Sequence, residues 1–187
     1  AADVAITLSA EGDIINSTIT TDTVATVDAT NIAATDIYAL QGISATATES
    51  ILGGTMVGGD VDLTADSIKN VDVIGQAVVE GKETIATGLV SMTAWTDIDN
   101  VSVSSADSVY LTADNNITNA TVVAAGEVSL VAGDDNGVGT ISGASIEAGH
   151  VELTALNNIA NSTILSTGKK NTVNVFALNE MGSVSIK

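Results

Sequence analysis

The chain has 187 residues, 23 of them acidic and 5 basic, for a formal net charge of −18. Such a charge repels a phosphate backbone, so nucleic-acid binding is not expected. With no Cys there is no disulfide framework, thiolate metal site or cysteine nucleophile, and no stretch of about 18 apolar residues offers a membrane-spanning helix.

Hydrophobic residues make up 45% of the chain, enough for a core, but aromatics are only 2%: Tyr38, Trp95, Tyr110 and Phe176. The core must therefore be aliphatic. The chain opens Ala1-Ala2-Asp3, which fits a removed secretory signal and an internal segment equally well.

Taken in chain order, two short modules alternate from end to end. The first is an alternating apolar triplet and the second an Ile-x-Asn-x-x-Ile pattern. Coil one reads Ile6-Leu8-Ala10 and then Ile14-Asn16-Ile19; coil two, Ala25-Val27-Ala29 and Ile32-Ala34-Ile37; coil three, Ile43-Ala45-Ala47 and Ile51-Gly53-Met56. Coil four is Val61-Leu63-Ala65 with Ile68-Asn70-Val73, coil five Val90-Met92-Ala94 with Ile98-Asn100-Val103, and coil six Val109-Leu111-Ala113 with Ile117-Asn119-Val122. Coil seven is Val128-Leu130-Ala132 with Ile141-Gly143-Ile146, coil eight Val151-Leu153-Ala155 with Ile159-Asn161-Ile164, and coil nine Val173-Val175-Ala177 with Met181-Ser183-Ile186.

Spacing inside each module never changes, and the period is two, which means strands with one buried face. Past the second module a small residue recurs (Thr21, Ala39, Gly58, Gly75, Ser105, Ala124, Ala148, Ser166), marking a third short strand. Three short strands and three corners in about 19 residues make one coil of a parallel β-solenoid. The expected fold is therefore all-β, a single domain over residues 1–187 of nine coils, forming a rod of roughly 43 Å at the strand spacing. Length variation is confined to corner insertions at 74–89, 133–140 and 165–172, because coil-to-coil register must survive any loop.

The column Asn16, Asn70, Asn100, Asn119 and Asn161 has a structural reading. Stacked amides can bond to their equivalents one coil away, and Asn, like Gly53 and Gly143, tolerates the left-handed backbone of a sharp corner. At the ends the repeat runs without an amphipathic cap. Ile6 and Leu8 at one end, and Val184 and Ile186 at the other, are the residues expected to meet either flanking coils of a longer chain or another copy, head to tail.

Outward positions of the first strand are mainly Thr, Ser and Asp and read as a solvated face; Asp28, Asp62 and Tyr110 interrupt any ice-binding threonine array. On the third strand the outward residues Tyr38, Val57, Ile74, Val123 and Leu165 form the most apolar exposed column. Two readings stand for it: cover beneath the corner insertions, or lateral contact between rods. One corner gathers Glu11, Asp13, Asn31, Glu49, Asp66, Asp97, Asp114, Asn115, Asn116, Asp134, Asp135, Asn157, Asn158, Asn179 and Glu180. Asx turns explain most of them, and Asp134 and Asp135 are the best local candidates for calcium, which would relieve stacked carboxylates. No other cofactor is expected. His150 is the only histidine, and with no second histidine or cysteine it has no metal partner. Lys82, Lys169 and Lys170 sit in the excursions and read as solvated.

Catalysis is not expected. There is no Arg to clamp a uronate, few aromatics to stack on sugars, no nucleophile elbow around a serine, and no Gly-Lys-Ser/Thr after Gly53-Gly54. The unit Val-x-Leu-x-Ala-x-x-x-Ile-x-Asn-x-x-Ile resembles the repeats of filamentous-haemagglutinin-type adhesins and other large bacterial surface β-helix proteins, over essentially the whole chain. The resemblance implies a right-handed parallel β-helix, secretion or cell-surface display, and a role as stalk, fibre or adhesive scaffold. The leading expectation is a non-catalytic extracellular structural protein stacking into a filament or surface fibre. The alternatives are a segment of a large adhesin binding host or carbohydrate surfaces through its corner loops, and a carbohydrate-active β-helix enzyme.

Overall fold

The computed structural model describes residues 4–134, 138–167 and 171–187. Within them the chain is all-β, without helix: one 23-stranded parallel assembly and a separate two-stranded antiparallel hairpin. It winds as a β-solenoid of about nine turns in which each strand of an interior coil pairs with its counterparts one coil before and one coil after.

Inward alternation sets the register. On the first face the column runs Ile6, Ala25, Ile43, Val61, Val90, Val109, Val128, Val151 and Val173, each paired with the next. On the second it runs Ile14, Ile32, Ile51, Ile68, Ile98, Ile117, Ile141, Ile159 and Met181. On the third it runs Ile19, Ile37, Met56, Val73, Val103, Val122, Ile146, Ile164 and Ile186. A one-residue slip would turn every one of these side chains to solvent, so burial of a single face specifies the pairing. Stacked like on like, the columns form one continuous aliphatic core.

Between the second and third faces each coil makes its tightest corner with one residue in the left-handed region. These residues are Asn16, Ala34, Gly53, Asn70, Asn100, Asn119, Gly143, Asn161 and Ser183, with φ between 47° and 69°. The residue after the corner also faces inward, a fourth column absent from the sequence reading: Thr35, Val71, Val101, Ala120, Ala144 and Ser162 are buried. Where this column is polar, the hydroxyl bonds back to the carbonyl two residues earlier. Thr35 Oγ1 donates to Ala33 O at 3.0 Å and Ser162 Oγ to Ala160 O at 3.0 Å. A buried hydroxyl thus avoids the cost of an unmade bond.

The strands are not uniformly short. Asp36–Leu52 passes two corners as one strand, and Val24–Ala33 and Thr55–Ala65 each pass one. The register shifts between Ala29 and Asn31 and between Ala39 and Gly42 mark bulges at those corners. Each bulge adds one residue on Asp36–Leu52 against its neighbour, and inter-coil bonding carries on around the bend.

The excursion at 74–89 forms the hairpin, Val78–Glu80 against Glu83–Ala86, turning at Gly81 and Lys82. It leaves and re-enters the coil where Gly75 faces Gly88. A Cβ on Gly75 would fall 2.3 Å from the Gly88 carbonyl oxygen, so the two backbones can close the loop only without a side chain there. Asp60, on the preceding coil, holds the re-entry. Its Oδ1 accepts from the backbone N–H of Thr87 (3.0 Å), Gly88 (2.9 Å) and Leu89 (3.0 Å), and from Thr87 Oγ1 (3.2 Å).

Candidate functional site: the end faces and the outer columns

The three columns reach both ends of the rod. At the first coil Ile6 and Ile14 are only half-buried and Leu8 is 38% exposed, whereas their counterparts Val109, Ile117 and Leu111 in mid-rod are fully buried. At the last coil Met181 and Ile186 are 58% and 54% exposed, against 0% for Ile159 and Ile164 one coil inward. Val184 there is half-buried, and Ile6 and Val173 lie at opposite ends of the same first-face column.

Each end also has open strand edges. Ile6–Ser9 pairs on one side only, with Val24–Ala33, and Thr172–Ala177 pairs on one side only, with His150–Ala155. Among the described residues no segment lies over either end. The two faces carry the same columns with opposite edges free. A further coil laid on either face would continue the parallel ladder and bury the exposed Leu8, Met181 or Ile186.

The amide-rich corner carries Asn16, Asn70, Asn100, Asn119 and Asn161 at its left-handed positions, but it is not a continuous amide ladder. Asn100 Nδ2 donates to Asn70 Oδ1 at 2.7 Å, whereas Asn119 Nδ2 turns to Asp99 Oδ1 at 3.2 Å. Asn16 and Asn161 have Ala34, Gly143 and Ser183 as stacking neighbours, none of which carries an amide. The requirement common to all nine coils is the backbone conformation, not the ladder.

At the acid-rich corner the carboxylates are interleaved with amides. Asn31 Nδ2 donates to Asp13 Oδ1 (2.9 Å) and Glu49 Oε2 (3.1 Å), Asn116 Nδ2 to Asp97 Oδ1 (3.0 Å), and Asn179 Nδ2 to Asn157 Oδ1 (3.2 Å). Mutual repulsion is thereby relieved in part without a cation. Of the two calcium candidates, Asp134 is half-buried and Asp135 lies outside the described residues, as do Lys169 and Lys170.

On the third face Tyr38, Val57 and Ile74 are consecutive in the stack, while Ser104 and Glu147 interrupt the run before Val123 and Leu165. Tyr38, Ile74, Val123 and Leu165 are each more than a third exposed. An open groove of about 380 Å³ is lined by Val24, Ile43, Val61 and Leu89 together with Asp60 and Asp62.

His150 is not isolated. Glu127 and Glu152 stand beside it, half-buried like the histidine itself. Contrary to the expectation that it has no metal-ligating partner, its neighbours are carboxylates, not a second histidine or cysteine. The register held the missing signal: Val128 and Val151 share a column, so Glu127 and His150 share the one before it.

Comparison with protein-family models, with curated proteins and with solved structures finds no match for this chain.

Proposed function

We propose that the chain is a non-catalytic structural module, a rod whose coils continue at both end faces into further coils and so build a filament or surface fibre. One observation carries the reading: the inward columns stay in register up to both ends, where Leu8, Met181 and Ile186 stand exposed beside free strand edges. Contact between unlike ends is heterologous and does not close on itself, so it generates a linear polymer. The added coils belong either to the same polypeptide or to another copy; the geometry of the joint is the same. A setting outside the cell or at its surface, as in filamentous-haemagglutinin-type fibres, goes with this proposal.

Negative-stain electron microscopy and sedimentation of the purified chain test it. The expected result is rods of one width whose length is a multiple of the monomer rod, growing with protein concentration and with salt as the −18 charge is screened. Ile186→Asp or Leu8→Asp, each a charge set into one end face, should leave single rods. Monodisperse single rods of the unaltered chain at high concentration and high salt would defeat the proposal.

A further inference from the structure

We propose that Glu127, His150 and Glu152 form a binding site for one borderline divalent transition-metal ion, Zn²⁺ by donor chemistry, with at least one coordination position left to water. The site lies on the outward side of the first face, in coils seven and eight, and is independent of the end-face reading.

Its construction follows from the register. Glu127 begins the strand Glu127–Ala132 and pairs with His150, while Ser129 pairs with Glu152. Alternation turns Glu127, His150 and Glu152 away from the core, with Val128 and Val151 buried between them. The imidazole is thereby set between one carboxylate across the ladder and one two residues along its own strand. One donor atom from each residue lies within 4.8 Å of the others.

The last coil holds two of the ligands from behind. His150 Nδ1 is hydrogen-bonded to the Thr172 hydroxyl, which orients the ring and leaves Nε2 toward Glu152. Asn174 Nδ2 donates to Glu152 Oε1 at 3.2 Å. Metal-ligating histidines and carboxylates commonly have such outer partners.

The spacing suits a metal better than a direct contact. Nε2 lies 3.5 Å from Glu152 Oε1, longer than a good N–H···O bond of about 2.7–3.2 Å. Two donors about 2.0–2.2 Å from a tetrahedral Zn²⁺ stand roughly 3.3–3.6 Å apart. The Glu127 donor lies within 4.8 Å of the other two, so full ligation requires it to close on them by no more than about 1.5 Å. One nitrogen and two carboxylate oxygens suit a borderline ion. Calcium is poorly served, since it takes about six to eight oxygen ligands. Two carboxylates close together in a strongly acidic chain also gain from a shared cation, and an ion held by two coils clips them together.

The experiment is isothermal titration of the metal-stripped full chain with ZnCl₂, repeated with CaCl₂, alongside the visible spectrum of the Co²⁺-loaded chain. The expected result is one Zn²⁺ per chain, a raised thermal midpoint, no comparable Ca²⁺ uptake, and a Co²⁺ spectrum of low coordination number. Glu127→Gln and His150→Ala should each abolish tight uptake. Thr172→Val, which removes the hydroxyl bonded to His150 Nδ1, should weaken it by roughly 10–100-fold. Circular dichroism of the metal-free variants shows whether the solenoid is intact, and Glu127→Gln keeps side-chain size as the safeguard. Absence of saturable Zn²⁺ uptake by the unaltered chain overturns the proposal. So does uptake that persists unchanged in both Glu127→Gln and His150→Ala, or equal preference for Ca²⁺.

Discussion

Asn100 Nδ2 donates to Asn70 Oδ1 at 2.7 Å, one coil apart, and both residues hold a positive φ, 51° and 57°. At this corner, therefore, one residue type does two things: it accepts a backbone region that costs other L-residues about 1–2 kcal/mol, and it joins adjacent coils.

Ala34 occupies the same column with φ 47° and no side-chain bond to offset it. Ala34→Gly and Ala34→Asn should both stabilise the fold, by about 1 kcal/mol. The side chain is exposed and the position does not depend on packing. Asn100→Ala should cost about 1–2 kcal/mol for the opposite reason. Denaturant midpoints of the three variants, at unchanged slope, check both signs.

The core and the ends should respond differently to the same truncation. Ile117 is fully buried between Ile98 and Ile141, and Ile117→Ala should cost about 2–5 kcal/mol. Met181 is in the same column but 58% exposed. Met181→Ala should cost well under half as much in dilute solution, because little apolar area leaves water there. If coils stack end on end, that small cost grows with protein concentration, as the methionine becomes interior. Thermal midpoints at several concentrations read the difference.

The solenoid was legible because its columns are aliphatic at fixed spacing: Val128 and Val151 can be aligned even though the insertion at 133–140 separates them. The corner was legible at Asn and Gly, whose tolerance of positive φ is intrinsic, and at Ala34 and Ser183 only through the isoleucines or methionine that flank them. The fourth inward column was hidden because Thr35 and Ser162 read as surface residues until the carbonyls that accept their hydroxyls are in place. The hairpin in the 74–89 excursion was hidden too. Glu80, Lys82 and Glu83 carry no apolar alternation, and what fixes its base is Asp60 from the coil before. At the candidate metal site the ligands lie in separate coils, so only stacking register brings them together.

Asn31 is the neutral member of a stack with carboxylates on both sides. Asn31→Asp would place a third carboxylate between those of Asp13 and Glu49 in successive coils, and replace two donated hydrogen bonds with like-charge contacts. The expected loss is about 1–2 kcal/mol at low ionic strength. Because the groups lie near the surface, much of the repulsive part should vanish in about 1 M salt, where the screening length falls to about 3 Å. Chemical denaturation with urea at two NaCl concentrations separates the two contributions. A loss independent of salt would assign the whole effect to the missing donors.

Asp60 tests whether the excursion is an independent appendage. One of its carboxylate oxygens gathers four donors from Thr87, Gly88 and Leu89, and those residues lead directly into the buried Val90 of coil five. Asp60→Ala strips acceptors from three backbone N–H groups at once, two of them on residues that are not fully exposed. The cost should be about 1–3 kcal/mol, the penalty for buried donors left unsatisfied. It should fall on the loop before the rod: hydrogen exchange at 87–89 should accelerate, and proteolysis within 78–88 should become fast. The first-face residues further along the same two strands, Leu63 and Met92, should stay protected because their inter-coil pairing lies beyond Leu89. Equal loss of protection in the column and the loop would instead mean that the hairpin base is an integral part of the coil stack.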